Sequence, residues 1–157
     1  MAKFPSSNQL SFSELFKNAR ASEQPLWGTM SLQHMIEHLI MVYDRSSDGI
    51  PYTIHTPSEK LPRLKAFLES NQAFVKDFKA SFLPTEPVPY RYSSIEEATE
   101  ELILARKRFN DFFKDKPKDF TVNHVVFGPL NYAEWVRFHD KHVGHHLAQF
   151  QYWDLET

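Results

Sequence analysis

The sequence predicts an all-α protein: an antiparallel four-helix bundle with a short additional helix at the N-terminus. Three observations carry that prediction. Apolar residues recur at steps of three and four along four long segments. Most of the segments open on a Ser, Thr or Asn followed three residues later by Glu, which satisfies orphan amides at a helix start. Strand signals are few, and most of the 10 Pro fall between the segments, where they act as stops.

The short helix runs from about Phe12 to Ala21, opened by the box Ser11-Phe12-Ser13-Glu14. The next runs from about Met30 to Arg45, with Thr29 or Ser31 as cap and a stripe of Leu32, Met35, Ile36, Leu39 and Tyr43. The third is expected from about Pro57 to Phe82. Thr56 is its N-cap, Pro57 its first residue, and Glu59 completes a box. Its stripe is Leu61, Leu64, Leu68, Val75, Phe78 and Phe82, interrupted by Asn71 and Gln72. The fourth runs from about Ser94 to Lys114, on Ile95, Ala98, Leu102, Ala105, Phe109 and Phe112. The last runs from about Asn131 to Trp153, opened by Asn131-Tyr132-Ala133-Glu134. Gly49–His55, Leu83–Tyr92 and Lys116–Leu130 are then loops. Thr121–Phe127 has some β character, but a sheet is not expected.

The chain of 157 residues is one domain by length, large enough for a real core. A net charge of -2 with mixed signs argues against a nucleic-acid or anionic-membrane surface. The absence of Cys rules out disulfides, a Cys-based zinc finger and a thiolate nucleophile from the protein. With 4 Gly there is neither a GxGxxG nor a P-loop. No apolar run approaches the roughly 18–20 residues of a membrane span. Met1 to Gln9 has no apolar core of a signal peptide, so a soluble, cytoplasmic protein is expected.

The oddity is the histidine: of 8 in the chain, four fall between His139 and His146. His142 and His146 share one helix face, about 6 Å apart, within reach of one ion. His34 and His38 repeat that spacing on an earlier helix. His38 lies about 12 Å from the start of its helix at Met30. The His142/His146 pair lies about 13 Å from the end of its helix at Trp153. If these helices are antiparallel neighbours, the two sites are level, which favours a three-His metal site of His38, His142 and His146. Three protein ligands leave a position for water or substrate, the layout of a catalytic zinc site. Against this stands the blander reading, in which the histidines are packed or solvated. Trp135, His139 and Gln149 continue the same face and would line the pocket or support the ligands. His145 is expected at the surface or behind a ligand, and His55 in a loop without chemistry; His124 is a minor candidate for the bundle mouth. His34-Met35-Ile36-Glu37-His38 also matches H-x-x-E-H, the inverted zinc-protease signature. Such short patterns are cheap in a His-rich chain, and Glu37 reads better as a solvated residue or one that orients a ligand His.

These residues carry a family resemblance. Leu26-Trp27-Gly28-Thr29-Met30, Met35-Ile36-Glu37-His38-Leu39 and His124-Val125-Val126-Phe127-Gly128-Pro129-Leu130 are three of its pieces. Glu134-Trp135 and His142-Val143-Gly144-His145-His146-Leu147-Ala148-Gln149-Phe150 complete it. In this order the chain resembles the DinB/YfiT-like superfamily of proposed metalloenzymes, closest to a bacterial subfamily of unknown function. The resemblance implies a four-helix bundle with one divalent metal held by His38, His142 and His146. It also implies metal-assisted transfer of a low-molecular-weight thiol to an electrophile, or a hydrolysis. One departure matters: thiol-transferase relatives often read His-Arg-Gly-Gln where this chain has His146-Leu147-Ala148-Gln149.

The expected cofactor is Zn²⁺ first, with Ni²⁺, Fe²⁺ or Mn²⁺ as alternatives, since three imidazoles do not choose among them. The expected partner is a small-molecule substrate, with no nucleic acid and no membrane; an exposed aromatic helix face would support a homodimer. A metal-dependent transferase or hydrolase, a stress-related bundle that binds without turnover, and a structural bundle all stay open.

Overall fold

In the computed structural model, the described residues are 3–76 and 88–155. They form a mostly helical protein with one small sheet. The helices are α1 (Phe12–Leu15), α2 (Leu32–Arg45), α3 (Leu61–Glu69), α4 (Ile95–Lys114) and α5 (Tyr132–Gln149). Strands β1 (Val122–His124) and β2 (Gly128–Leu130) lie between α4 and α5. No helix among the described residues is long and apolar enough to cross a membrane.

Four of the expected caps form, and the expected Thr56 cap with Glu59 does not. Ser31 accepts from the His34 amide, Ser94 from Glu97, and Asn131 forms a full box with Glu134. Each such cap is worth about 1 kcal/mol. The stripes of α2 and α4 are buried as expected from Leu32 to Tyr43 and from Ala98 to Phe109, and these two helices make the most extensive helix contact.

Directions follow from cross-helix pairs. Tyr43 stacks on His139 and His38 meets His142, so α2 and α5 run antiparallel. Gln33 bonds the Tyr92 carbonyl just before α4, while Arg108 on α4 pairs with Asp44 at 2.9 Å, so α2 and α4 run parallel. Phe138, Trp135, Val143 and Leu147 of α5 close the core, with Phe12 and Phe16 against its far side.

The third helix departs from expectation. Its first turn is 3-10, Ser58–Lys60, and the α-helix begins only at Leu61. Pro62 is the reason. A helix starting at Pro57 would place that ring in its interior, against the carbonyl four residues back. From Leu61, Pro62 sits in the first turn, where it needs no amide partner. The helix ends at Glu69, not Phe82. Ser70 turns extended, and its hydroxyl bonds the Phe67 carbonyl at 2.7 Å. Arg137 takes the carbonyls of Leu68 and Ser70, and buried Lys141 takes those of Phe67 and Gln72. Two cations on the last carbonyls are a strong helix stop. The interruption at Asn71 and Gln72 was thus the real boundary. Val75, assigned to the apolar stripe, is 72% exposed, and Phe74 packs inward instead. Phe78, Phe82 and residues 83–87 of the expected 83–92 loop lie outside the described residues.

Three smaller corrections follow. The first helix closes at Leu15 rather than Ala21, and the last at Gln149 rather than Trp153. A two-stranded antiparallel sheet does form, pairing Val122 with Leu130 and His124 with Gly128. Three-residue strands containing Pro129 are too short to show an alternating pattern. Gly128 holds φ +82 and lies so close to Leu61 that a Cβ would meet Cδ1 at 3.0 Å.

The N-terminal segment docks on α5. Ser7 donates twice to Asp140, at 2.8 and 2.6 Å, and Arg106 holds the Ser7 and Leu10 carbonyls. Gly144 makes room for Pro5, whose Cδ would lie 2.8 Å from an added Cβ.

Candidate metal centre

The packing of α2 against α5 decides which histidines meet. Position 38 faces α5 one turn beyond Met35, and positions 142 and 146 face back from one side of α5. Candidate ligand nitrogens of His38, His142 and His146 all lie within 4.8 Å of one another. The Nε2 atoms of His38 and His142 are 3.0 Å apart. Two nitrogens around a tetrahedral ion with bonds of about 2.0–2.1 Å lie about 3.3 Å apart, so this pair is at ligation distance.

The ring of His146 has a fixed orientation. Gln149 donates its Nε2 to the Trp27 carbonyl at 3.0 Å. A carbonyl only accepts, so the other amide atom, Oε1, must face His146 Nδ1, at 2.8 Å. Nδ1 therefore carries the proton, and Nε2 is left as a bare lone pair. Buried His142 Nδ1 has no hydrogen-bond partner among the described residues. That orphan is costly in a packed site.

All three rings are held neutral. Burial pushes the His38 pKa down to about 4, assisted by Arg45 and His145. Burial, and then the neighbouring imidazoles, push His142 and His146 well below the usual range. Neutral imidazole is the form that binds a cation. His146 is buried, while His38 and His142 keep some exposed surface. Phe138 lies nearly parallel to the His142 ring at 5.1 Å, and Phe74 stands edge-on to it at 6.3 Å. The donor set of three neutral imidazoles, one locked by an amide, fits a borderline-soft divalent ion.

The weaker candidates separate. Gln149 hydrogen-bonds His146 directly, as its place one turn beyond His146 suggests. His34 does not join the cluster. It bonds Ser31 and the Val88 carbonyl and packs on Tyr90 at 4.3 Å. Glu37 is buried and accepts from Gln33, Arg91 and Tyr92, which ties the chain before α4 to α2. It is neither solvated nor hydrogen-bonded to a ligand histidine. Trp135 donates to the Val122 carbonyl, and His139 is 1% exposed between Tyr43, Trp135 and Ser46. Both are core groups rather than pocket walls. His124 turns into the hairpin, where its Nδ1 accepts from Val126 and Phe127.

His145, expected at the surface or behind a ligand, touches His146, Trp27 and Phe74, at 4.9, 5.3 and 6.0 Å. Trp27, one of three Trp that the sequence offers as pocket walls, is held beside the cluster by the Leu26 amide, which bonds the Gln149 carbonyl, a backbone contact that leaves no mark in a sequence. Phe74 was hidden by the overlong third helix.

No curated protein matches the sequence, and no solved structure matches the chain. Residues 8–152 match a family described as "Protein of unknown function (DUF1569)", and since that span is most of the chain, the protein belongs to the DUF1569 family.

Proposed function

We propose that this protein is a divalent-metal-dependent enzyme built on a DinB/YfiT-like four-helix bundle, acting by thiol transfer to an electrophile or by hydrolysis. His38, His142 and His146 would hold the ion, Zn²⁺ first, with Ni²⁺, Fe²⁺ or Mn²⁺ as alternatives. The observation that carries the reading is the Trp27–Gln149–His146 hydrogen-bond chain, which leaves Nε2 of a buried His unprotonated within a cluster of three neutral imidazoles. When bound, such an ion supplies Lewis-acid chemistry, making a water or a substrate thiol a better nucleophile. Gln149 keeps the proton on His146 Nδ1. Phe74 and Phe138 limit water around His142, and the exposed edges of His38 and His142 admit the substrate.

A second reading, a protein that binds a metal or ligand without turnover, is favoured by one observation. No carboxylate joins the cluster among the described residues, and Glu37 is occupied by backbone amides. In either reading the protein is a soluble, cytoplasmic one that handles a small molecule, as a monomer or homodimer.

Metal analysis of protein purified without chelator tests the shared claim. About one divalent ion per chain is expected, with occupancy collapsing in His142→Ala. Absence of metal, together with a melting temperature indifferent to chelator and to added Zn²⁺, overturns it. Turnover across thiol-transfer and ester substrates then separates the enzyme from the binding protein.

A further inference from the structure

A cation, Lys76, stands beside Trp27 on the His145 side of the three-His cluster. Lys76 places Nζ 4.8 Å from the centre of the Trp27 ring. Trp27 touches His145, and His145 touches the ligand His146. The ammonium is thus linked to a candidate ligand through the Trp27 and His145 rings. Lys76 is exposed and has no carboxylate partner among the described residues. The Trp27 face orients an ammonium without using up its three N–H donors. Nothing acidic balances it in the cluster, where three neutral imidazoles would leave the charge of an ion uncompensated.

We infer that Lys76 selects substrates carrying an anionic group, which it pairs with while the reacting end of the molecule lies at the three histidines. This rests on the metal reading above. Trp27 and His145 form the apolar floor between the two ends, and Phe74 its wall.

The test uses the full chain loaded with Co²⁺ and three thiol probes of similar reach. 3-Mercaptopropionate and 2-mercaptoethanesulfonate are anionic; 3-mercaptopropionamide is neutral. Binding is read from the thiolate-to-cobalt absorption, independently of turnover. The anionic probes should bind about two- to fivefold tighter than the amide, the scale of a partly exposed ion pair. That preference should vanish in Lys76→Met, persist in Lys76→Arg and reverse in Lys76→Glu. A preference for the carboxylate alone narrows the substrate class to carboxylates. A cobalt spectrum with the same probe ratios in wild type and Lys76→Met overturns this inference and leaves the metal reading intact. Failure of Co²⁺ to bind overturns both.

Discussion

Gln149 Oε1 accepts a hydrogen bond from His146 Nδ1 at 2.8 Å, and the same amide is pinned by the Trp27 carbonyl. Orientation of a ligand His by a partner of this kind commonly accounts for 10- to 100-fold in metal affinity. Gln149→Leu should therefore weaken Zn²⁺ binding by about that factor, measured by competition with a chromophoric chelator. Equal affinities in variant and wild type would remove Gln149 from the site.

Stability should fall steeply in mild acid. In the folded chain, His38 and His145 are lowered to about 4 and His124 to about 3, each first by burial. In the unfolded chain they titrate near 6.5. Between those values the unfolded state binds more protons, so stability rises with pH across the window and is flat above it. The metal-free protein should lose melting temperature from pH 7 to pH 5, and bound metal should blunt the loss. A flat profile for metal-free protein over that range would contradict the burial of these rings.

Glu37 offers a clean test against the protease-like motif. Its carboxylate accepts from two backbone amides, at 2.8 and 3.3 Å, and from Gln33 at 2.9 Å. Glu37→Ala strands those donors and should cost about 1–3 kcal/mol of stability. Metal stoichiometry should stay at the wild-type level. A variant of full stability that has lost a hydrolytic activity would instead restore Glu37 as a catalytic base.

At Gly144 two effects oppose. Alanine in a helix gains about 1 kcal/mol over glycine. Overpacking against Pro5, only 2.8 Å from the new methyl, costs about 1–3 kcal/mol. Gly144→Ala should therefore lower the melting temperature, and in a Pro5→Gly background the same change should raise it. A rise in both backgrounds would mean that the N-terminal segment does not rest on α5.

The cluster was legible before the fold was known in detail because helical spacing fixes which face a residue occupies. His142 and His146 needed only a four-residue step, and His38 needed only the antiparallel pairing of α2 with α5. The depth estimate took helix ends from Met30 and Trp153, while the helices stop at Leu32 and Gln149. Both ends moved inward, so the levels still agreed. The fate of His139 was not legible. It shares the face of Trp135 and Gln149, yet burial between Tyr43 and Phe109 depends on where α4 passes, and periodicity within one helix is silent on that. Nor could spacing reveal that Lys141 and Arg137 would terminate α3 from across the molecule.

The sequence separation within the cluster bears on when a metal could be loaded, if the cluster holds one. His38 and His142 are 104 residues apart, and Ser7 reaches 133 residues forward to Asp140. On a ribosome, His38 emerges long before His142 and His146 exist. A lone imidazole on α2 would bind an ion weakly, so any loading would follow synthesis of α5. The last turns of that helix bring two ligands and the Gln149 brace within a few residues. Closing such distant contacts makes folding slower than local helix contacts alone would allow. An ion would then meet a chain already committed to its topology, and would act as a late lock on α2 and α5 rather than a nucleus around which they assemble.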